Sequence, residues 1–158
     1  MPIGVNAQYS FKGTFNGNGK TITGLYINDP GRLYAGLFGY VFTGGKVENV
    51  IIKDADITAR GNPGSATGGV GGVVGYLNNG SVINCHVSGT VKGHDRVGGI
   101  AGMVNVSGIG LESCSFSGVV RGTGSGTAFD NIGGIVGYIA NSRVTSAMRQ
   151  VRWKAGTT

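Results

Sequence analysis

The sequence lacks the features of several protein classes. Charged residues are only 13% of its 158 residues, about half the usual share. No basic stripe alternates with aromatic residues, so nucleic-acid binding is not expected. No apolar run is long enough to span a membrane. Because Met1-Pro-Ile-Gly4 has no signal-peptide character, the protein is either cytosolic or exported by a signal outside this sequence.

Motifs for catalysis and metal binding are also missing. Two cysteines alone cannot hold a metal, and His86 and His94 show no ligand spacing with them. Gly19-Lys-Thr21 lacks the first glycine of a phosphate-binding loop, since residue 14 is threonine, and no helical pattern follows it. We therefore expect no enzyme activity and assign no catalytic, cofactor-binding or metal-binding residue.

Glycine is the residue that the sequence has in excess. There are 33 glycines and three prolines, so about one residue in five is glycine, roughly three times the usual share. Val, Ile and Leu are interleaved with the glycines throughout, which excludes a flexible linker. Glycine and β-branched residues together disfavour helix. The composition predicts an all-β protein with many tight turns.

Two phrases recur along the chain. The first is glycine, two apolar residues, glycine, a large side chain and an aliphatic residue. It occurs at Gly36-Leu-Phe-Gly-Tyr-Val41, Gly72-Val-Val-Gly-Tyr-Leu77, Gly99-Ile-Ala-Gly-Met-Val104 and Gly134-Ile-Val-Gly-Tyr-Ile139. The second follows each of these, at Val47-Glu-Asn-Val50, Val82-Ile-Asn-Cys85, Leu111-Glu-Ser-Cys114 and Val144-Thr-Ser-Ala147. Such units cannot bury their apolar faces alone, so they are expected to stack in parallel at about 4.8 Å per coil.

The repeats predict a right-handed parallel β-helix, or solenoid, of about four to five coils. Residues 1–146 form one domain, with an atypical first coil at 1–33 and repeats beginning near residues 34, 70, 97 and 132. Asn16-Gly-Asn-Gly19 is a tight-turn signal between two strands of the first coil. The phrases predict one inward ladder formed by Leu37, Val73, Ile100 and Ile135.

The recurring Gly-Leu-Phe-Gly-Tyr and Gly-Val-Val-Gly-Tyr phrases resemble the GLUG-motif repeats of bacteria. The stretch from Phe11 to Ile27 is similar to the segment that often precedes them, and the resemblance extends from residue 2 to about residue 146. It implies a large secreted or surface-anchored protein, with adhesin-like proteins among the examples. Such repeats also accompany some immunoglobulin-cleaving metallopeptidases, outside the catalytic part. The resemblance implies no catalytic residues.

The leading functional hypothesis is a non-enzymatic structural or adhesive module of a bacterial surface or secreted protein. It would act as a spacer, or bind a glycan or a host or cell-surface protein through loops 61–68 and 122–130. One alternative is a polysaccharide lyase or hydrolase that uses Asp54 and Asp56, with Lys53 and Arg60 as the nearby cations. Another is a non-catalytic accessory segment of a surface metallopeptidase.

Two sets of residues share repeat positions and are expected to pack. Cys85 and Cys114 occupy the position of Val50, which favours small, buried, reduced side chains on neighbouring coils over a disulfide. The aromatic position is held by tyrosine in three repeats and by Met103 in the third. A tyrosine row is suited to binding sugar rings or to packing, and the methionine favours packing.

Residues 147–158 form a basic tail that departs from the repeat. One permitted coding of this tail, read one base earlier, gives CNATGTVEGRNN. That peptide restores a cysteine at the position of Cys85 and Cys114, followed by a Gly-Thr-Val run like the one at 89–91. We therefore expect the tail to be a frameshift product, and the sequence to be a fragment cut at both ends. Losing the last repeat strand would expose an unpaired coil end that favours end-to-end self-association.

Overall fold

The computed structural model describes residues 1–62, 67–124, 131–145 and 148–151. All regular elements among these residues are β-strands. In chain order they are β1 (Thr14–Asn16), β2 (Thr21–Thr23), β3 (Tyr26–Asp29), β4 (Tyr34–Ala35), β5 (Phe38–Val41), β6 (Lys46–Glu48), β7 (Ile51–Ala59), β8 (Gly69–Gly71), β9 (Val74–Asn78), β10 (Ser81–Ile83), β11 (His86–Gly93), β12 (Val97–Gly98), β13 (Ala101–Glu112), β14 (Ser115–Gly122), β15 (Ile132–Gly133), β16 (Val136–Thr145) and β17 (Met148–Val151).

The strands form three parallel sheets that wind around one core. The first sheet joins β1, β6, β10, β13, β9 and β5, with β16 added on β13. The second joins β17, β14, β11, β7 and β2, with β3 also paired to β7, and the third joins β15, β12, β8 and β4. Each strand pairs with its counterpart one turn further along the chain. This is a parallel β-solenoid of about four turns, as predicted; its right-handed sense stays a prediction.

The glycine phrases stack in register, as the repeats predict. Tyr40 pairs with Tyr76, Tyr76 with Met103, and Met103 with Tyr138. The strands of the third sheet begin at residues 34, 69, 97 and 132. Because the spacing within each phrase is identical and neighbouring coils form the same backbone hydrogen bonds, equivalent residues stack on one another.

The predicted inward ladder runs through the core. Val73 and Ile100 are fully buried, and Leu37 and Ile135 at its two ends are partly buried and pack against the same apolar cluster. Backbone bonds join the ladder, with Val73 N donating to Ile100 O at 2.9 Å and Ile100 N donating to Ile135 O at 2.9 Å. The ends are less covered because they have fewer coils stacked on them.

A polar corner separates the first and second sheets. Asn49, Asn84 and Ser113 occupy it in successive coils with φ of 55°, 50° and 53°, a left-handed conformation that asparagine tolerates well. Asn84 Nδ2 donates to Asn49 Oδ1 at 2.8 Å, which links two coils by side chains as well as backbone. These three successive coils thus turn here on one left-handed residue each.

The predicted tight turn in the first coil is present at this corner. Asn18 and Gly19 have φ of 50° and 70°, and Lys20 N donates to Gly17 O at 2.8 Å. The strands on either side, β1 and β2, pair with β6 and β7 and not with each other. An Asn-Gly signal therefore makes a coil corner here, because the next coil offers better pairing than a hairpin would.

The start of the tail continues the second sheet. Strand β17 pairs with β14 so that Met148 lies beside Ser115, Arg149 beside Phe116 and Val151 beside Gly118. Arg149 thus takes a position held by a core residue in the preceding coil, and Val151 takes one held by glycine.

Candidate functional site

The two aspartates of the enzymatic alternative lie on β7. Asp54 occupies a β-bulge with φ of 54°, where β7 has one more residue than β11. Asp56 pairs with Thr90, and both carboxylates are exposed on either side of the buried Ala55. The bulge bends the strand and re-aims its side chains, so the two aspartates flank a corner of the solenoid.

A shallow cleft of about 200 Å³ lies on the second sheet, next to this bend. It is lined by Ile51, Ile52, Lys53, His86, Val87, Ser88, Ser115 and Ser117. The lining includes Lys53 but neither aspartate. The structure therefore does not bring Asp54, Asp56 and a cation into this one cleft.

A chain of side-chain hydrogen bonds runs along the edge of the same cleft. His86 Nε2 lies 3.0 Å from Asn84 Oδ1, and His86 Nδ1 lies 2.7 Å from Ser115 Oγ. Since the Asn84 amide nitrogen is directed at Asn49, its oxygen accepts a proton from Nε2, and in the neutral imidazole Nδ1 is then left to accept from the serine. Sequence reasoning missed this chain because its members belong to neighbouring coils.

The bases of both predicted ligand loops meet at a second corner. Arg60 O accepts from His94 N at 2.9 Å, and Thr123 N donates to Gly93 O at 2.7 Å. The turn at 94–96 therefore lies between the segments that carry loops 61–68 and 122–130. Residues 63–66 and 125–130 of those loops lie outside the described residues, so their ligand-binding role stays a prediction.

That turn contains a buried ion pair. Asp95 is 0% exposed and Arg96 7% exposed, with Asp95 Oδ2 3.7 Å from Arg96 Nη1. Asp95 Oδ1 accepts from Arg96 N at 2.8 Å and from Asn131 Nδ2 at 3.2 Å. Burying two charges costs several kcal/mol, which the bonds to the neighbouring coil offset in part. Sequence reasoning missed the pair, because charged residues that occur in one repeat only give no periodic signal.

The two cysteines occupy adjacent coils, as predicted. Cys85 and Cys114 are buried and unbridged. The strands before them, β10 and β13, pair in register, and so do the strands after them, β11 and β14. A hydrogen bond with the Cys114 thiol and burial together raise the pKa of the Cys85 thiol. Both thiols therefore behave as small core side chains.

The repeated aromatic position is a packing position. Tyr40, Tyr76 and Met103 are at most 4% exposed and form a second cluster, with the rings of Tyr40 and Tyr76 4.8 Å apart. Burial raises the pKa of Tyr40. Tyr138 is 40% exposed, and the guanidinium of Arg96 lies 5.4 Å from its ring. Packing thus dominates, as Met103 indicated.

The described residues include neither a candidate metal centre nor a candidate membrane-spanning helix. Within that part of the chain, no three His, Cys, Asp or Glu side chains group as metal ligands. The same residues include no helix that would cross a membrane.

Comparison with known proteins confirms the family resemblance. The GLUG motif matches residues 66–92. The chain is 37% identical over 108 residues to halomucin of Haloquadratum walsbyi, an alignment that covers 68% of this chain and 1% of halomucin. It is 43% identical over 76 residues to a Gly-rich membrane protein of Evansella cellulosilytica, covering 46% of this chain and 9% of that protein. No solved structure matches.

The fold and these matches define the class of protein. It is a parallel β-solenoid of glycine-rich repeats, and the GLUG motif is present at residues 66–92. The matching segments are small parts of much longer relatives.

Proposed function

We propose that the chain is a non-enzymatic repeat module of a cell-surface or secreted protein, where it serves as a stiff spacer with ligand-binding surfaces. The observation that carries the proposal is the unbroken apolar core, which extends from Ile27 in the first coil to Val120 in the penultimate coil. Because every coil shares sheets and core with the next, the stack resists bending between coils.

The relatives support a surface or secreted location. One of them is described as a membrane protein, and the chain matches only 9% of it. A segment that matches only small parts of long chains suits a spacer or adhesive role.

Antibody labelling of intact cells tests the proposal. Antibodies raised against this chain should label intact source cells, with an antibody against a cytosolic protein as the negative control. Labelling that requires permeabilised cells, with none on intact cells or in the medium, would overturn the proposed location.

The polysaccharide-cleaving alternative has its own test. We expect no cleavage when the chain is incubated with acidic and neutral polysaccharides, because Asp54 and Asp56 lie outside the cleft that holds Lys53. Cleavage that disappears in the Asp54→Asn, Asp56→Asn variant and persists in Glu112→Gln, a change at another exposed carboxylate, would establish the enzyme instead.

A further inference from the structure

A second open cleft lies where the N-terminal segment meets the turn after β3. Its volume is about 410 Å³, and its lining is Val5, Asn6, Asp29, Gly31, Arg32, Leu33 and Tyr34. Small-molecule sites in proteins typically have volumes of about 300–1,000 Å³. The cleft is therefore of a size that accepts one or two sugar rings.

An ion pair at one wall of the cleft is held rigidly. Arg32 Nε donates to Asp29 Oδ2 at 2.9 Å, and Arg32 Nη2 lies 2.9 Å from the same oxygen. Asp29 Oδ1 accepts from Gly31 N at 3.1 Å, and Arg32 N donates to Asp29 O at 3.0 Å. The turn thus fixes both side chains, and a guanidinium with five N–H groups keeps donors for a ligand.

The charges of this wall cancel each other. Asp29 and Arg32 are the charged side chains that line the cleft, one of each sign. Their side chains are 42% and 23% exposed, so both remain accessible from the cleft. An anionic or cationic ligand would gain little net attraction here, whereas a neutral ligand with hydroxyl groups finds both a donor and an acceptor.

An aromatic ring and apolar side chains form the rest of the lining. The Tyr34 ring packs on Tyr40 with centroids 5.4 Å apart, and its hydroxyl lies 3.0 Å from Thr67 Oγ1. Val5 and Leu33 add apolar surface, and Leu33 is 37% exposed. Sugar rings present apolar C–H faces with hydroxyls at their edges, which suits a fixed aromatic ring beside polar groups.

Asn6 supplies a further polar group. Its Oδ1 accepts from Tyr9 N at 2.9 Å, which orients the amide. Among the described residues its Nδ2 makes no hydrogen bond, so it is a donor for a ligand hydroxyl. Donors, acceptors and apolar surface therefore converge on one preformed cleft.

We propose that this cleft binds a neutral saccharide, with Asp29, Arg32 and Asn6 bonding its hydroxyls and Tyr34 and Leu33 contacting its C–H faces. This proposal rests on the proposed function, because it names the class of ligand that the surface module binds.

Titration of the full chain with defined sugars, followed by NMR, tests the site. The neutral probes are cellobiose and N,N′-diacetylchitobiose, and the anionic probe is a digalacturonate. We expect resonances of the cleft residues to shift with the neutral sugars. The Asp29→Asn, Arg32→Gln variant should weaken that binding by about tenfold or more, since hydrogen bonds to charged groups are lost.

The matched control removes a second surface ion pair. Lys46 Nζ lies 2.6 Å from Glu48 Oε2, and neither residue lines the cleft. Lys46→Gln with Glu48→Gln should leave sugar binding unchanged, and circular dichroism should show both variants folded. Should the cleft variant unfold, Leu33→Ser, at a partly exposed position, replaces it and should weaken binding through lost apolar contact.

Three outcomes would overturn the site: no shift with either neutral sugar in the folded chain, tighter binding of the digalacturonate, or equal losses in the cleft and control variants. None of them changes where antibodies label the source cells. Failure of the saccharide site is therefore distinguishable from failure of the proposed surface function.

Discussion

The middle and last coils place the same residue types in different environments. In the middle coil, residues 74–98, Tyr76 and Leu77 are 2% and 0% exposed. Their counterparts in the last coil, residues 136–151, are Tyr138 and Ile139, which are 40% and 46% exposed. The register is the same over this segment, since Tyr76 and Tyr138 both pair with Met103. Burial in this fold is therefore created by the interface between coils and not within a coil.

The largest difference between the two coils is expected for core truncation. Leu77→Ala should lower the free energy of unfolding by about 2–5 kcal/mol, because it leaves a cavity in the stack. Ile139→Ala should lower it by less than about 1 kcal/mol, because the side chain is half exposed. Urea denaturation followed by circular dichroism measures both. Equal losses would contradict the comparison.

Gly118 in β14 is expected to be nearly as sensitive to substitution as Leu77. Gly118 has φ of 148°, and a Cβ there would overlap the carbonyl of Gly89. Gly118→Ala should cost about 2–4 kcal/mol. Gly108→Ala is the control: its φ is 124°, but a Cβ meets nothing within 4 Å, so only the backbone strain of about 1–2 kcal/mol remains. Equal costs measured by urea denaturation would show that contact with Gly89 is unimportant.

Two left-handed asparagines, Asn84 in the middle coil and Asn141 at a different corner in the last coil, should differ by a smaller amount. Asn84 and Asn141 have φ of 50° and 54°, so alanine strains both by about 1–2 kcal/mol. Asn84 also bonds Asn49 at 2.8 Å and His86 at 3.0 Å, whereas Asn141 bonds Asn105 at 3.3 Å. Asn84→Ala should therefore cost about 1 kcal/mol more than Asn141→Ala in thermal unfolding. Asn84→Gly separates the backbone strain from the lost hydrogen bonds, because glycine relieves the strain but makes no side-chain hydrogen bond.

Restoring the repeat in the last coil should stabilise the stack modestly. In the shifted-frame peptide, alanine and glycine replace Arg149 and Val151, whose positions in the preceding coil belong to Phe116 and Gly118. A chain with that peptide at 147–158 should melt about 3 °C higher or more, by calorimetry. A scrambled peptide of the same composition is the control and should give no increase.

The frameshift itself is decided by the gene. The DNA of codons 146–158, read one base earlier, should encode a repeat-like peptide beginning with cysteine. Codons that give no such peptide would refute the frameshift, whatever the melting temperature shows.

The smallest difference between coils is expected for the two cysteines, because both lie between stacked coils. Thiol titration after denaturation should find two thiols per chain, since the structure has both unbridged. The native chain should react much more slowly at neutral pH, because both thiols are buried away from the reagent. The hydrogen bond with Cys114 and burial also raise the pKa of Cys85. Finding no thiol after denaturation would support the disulfide instead.

The repeat phrases alone were enough to predict the parallel stack, the ladder of Val73 and Ile100 and the burial of the cysteines. They suffice because glycines and apolar residues recur in phase, and in-phase repeats can bury their apolar faces only against one another.

Tertiary structure decided the features that do not repeat. Asp95 and Arg96 are buried by neighbouring coils, and the chain Asn84, His86, Ser115 forms across two coils. The cleft at Asp29 and Arg32 depends on the N-terminal segment returning to the first coil. Such groups are brought together by contacts between residues distant in sequence, and periodicity carries no information about side chains that occur only once.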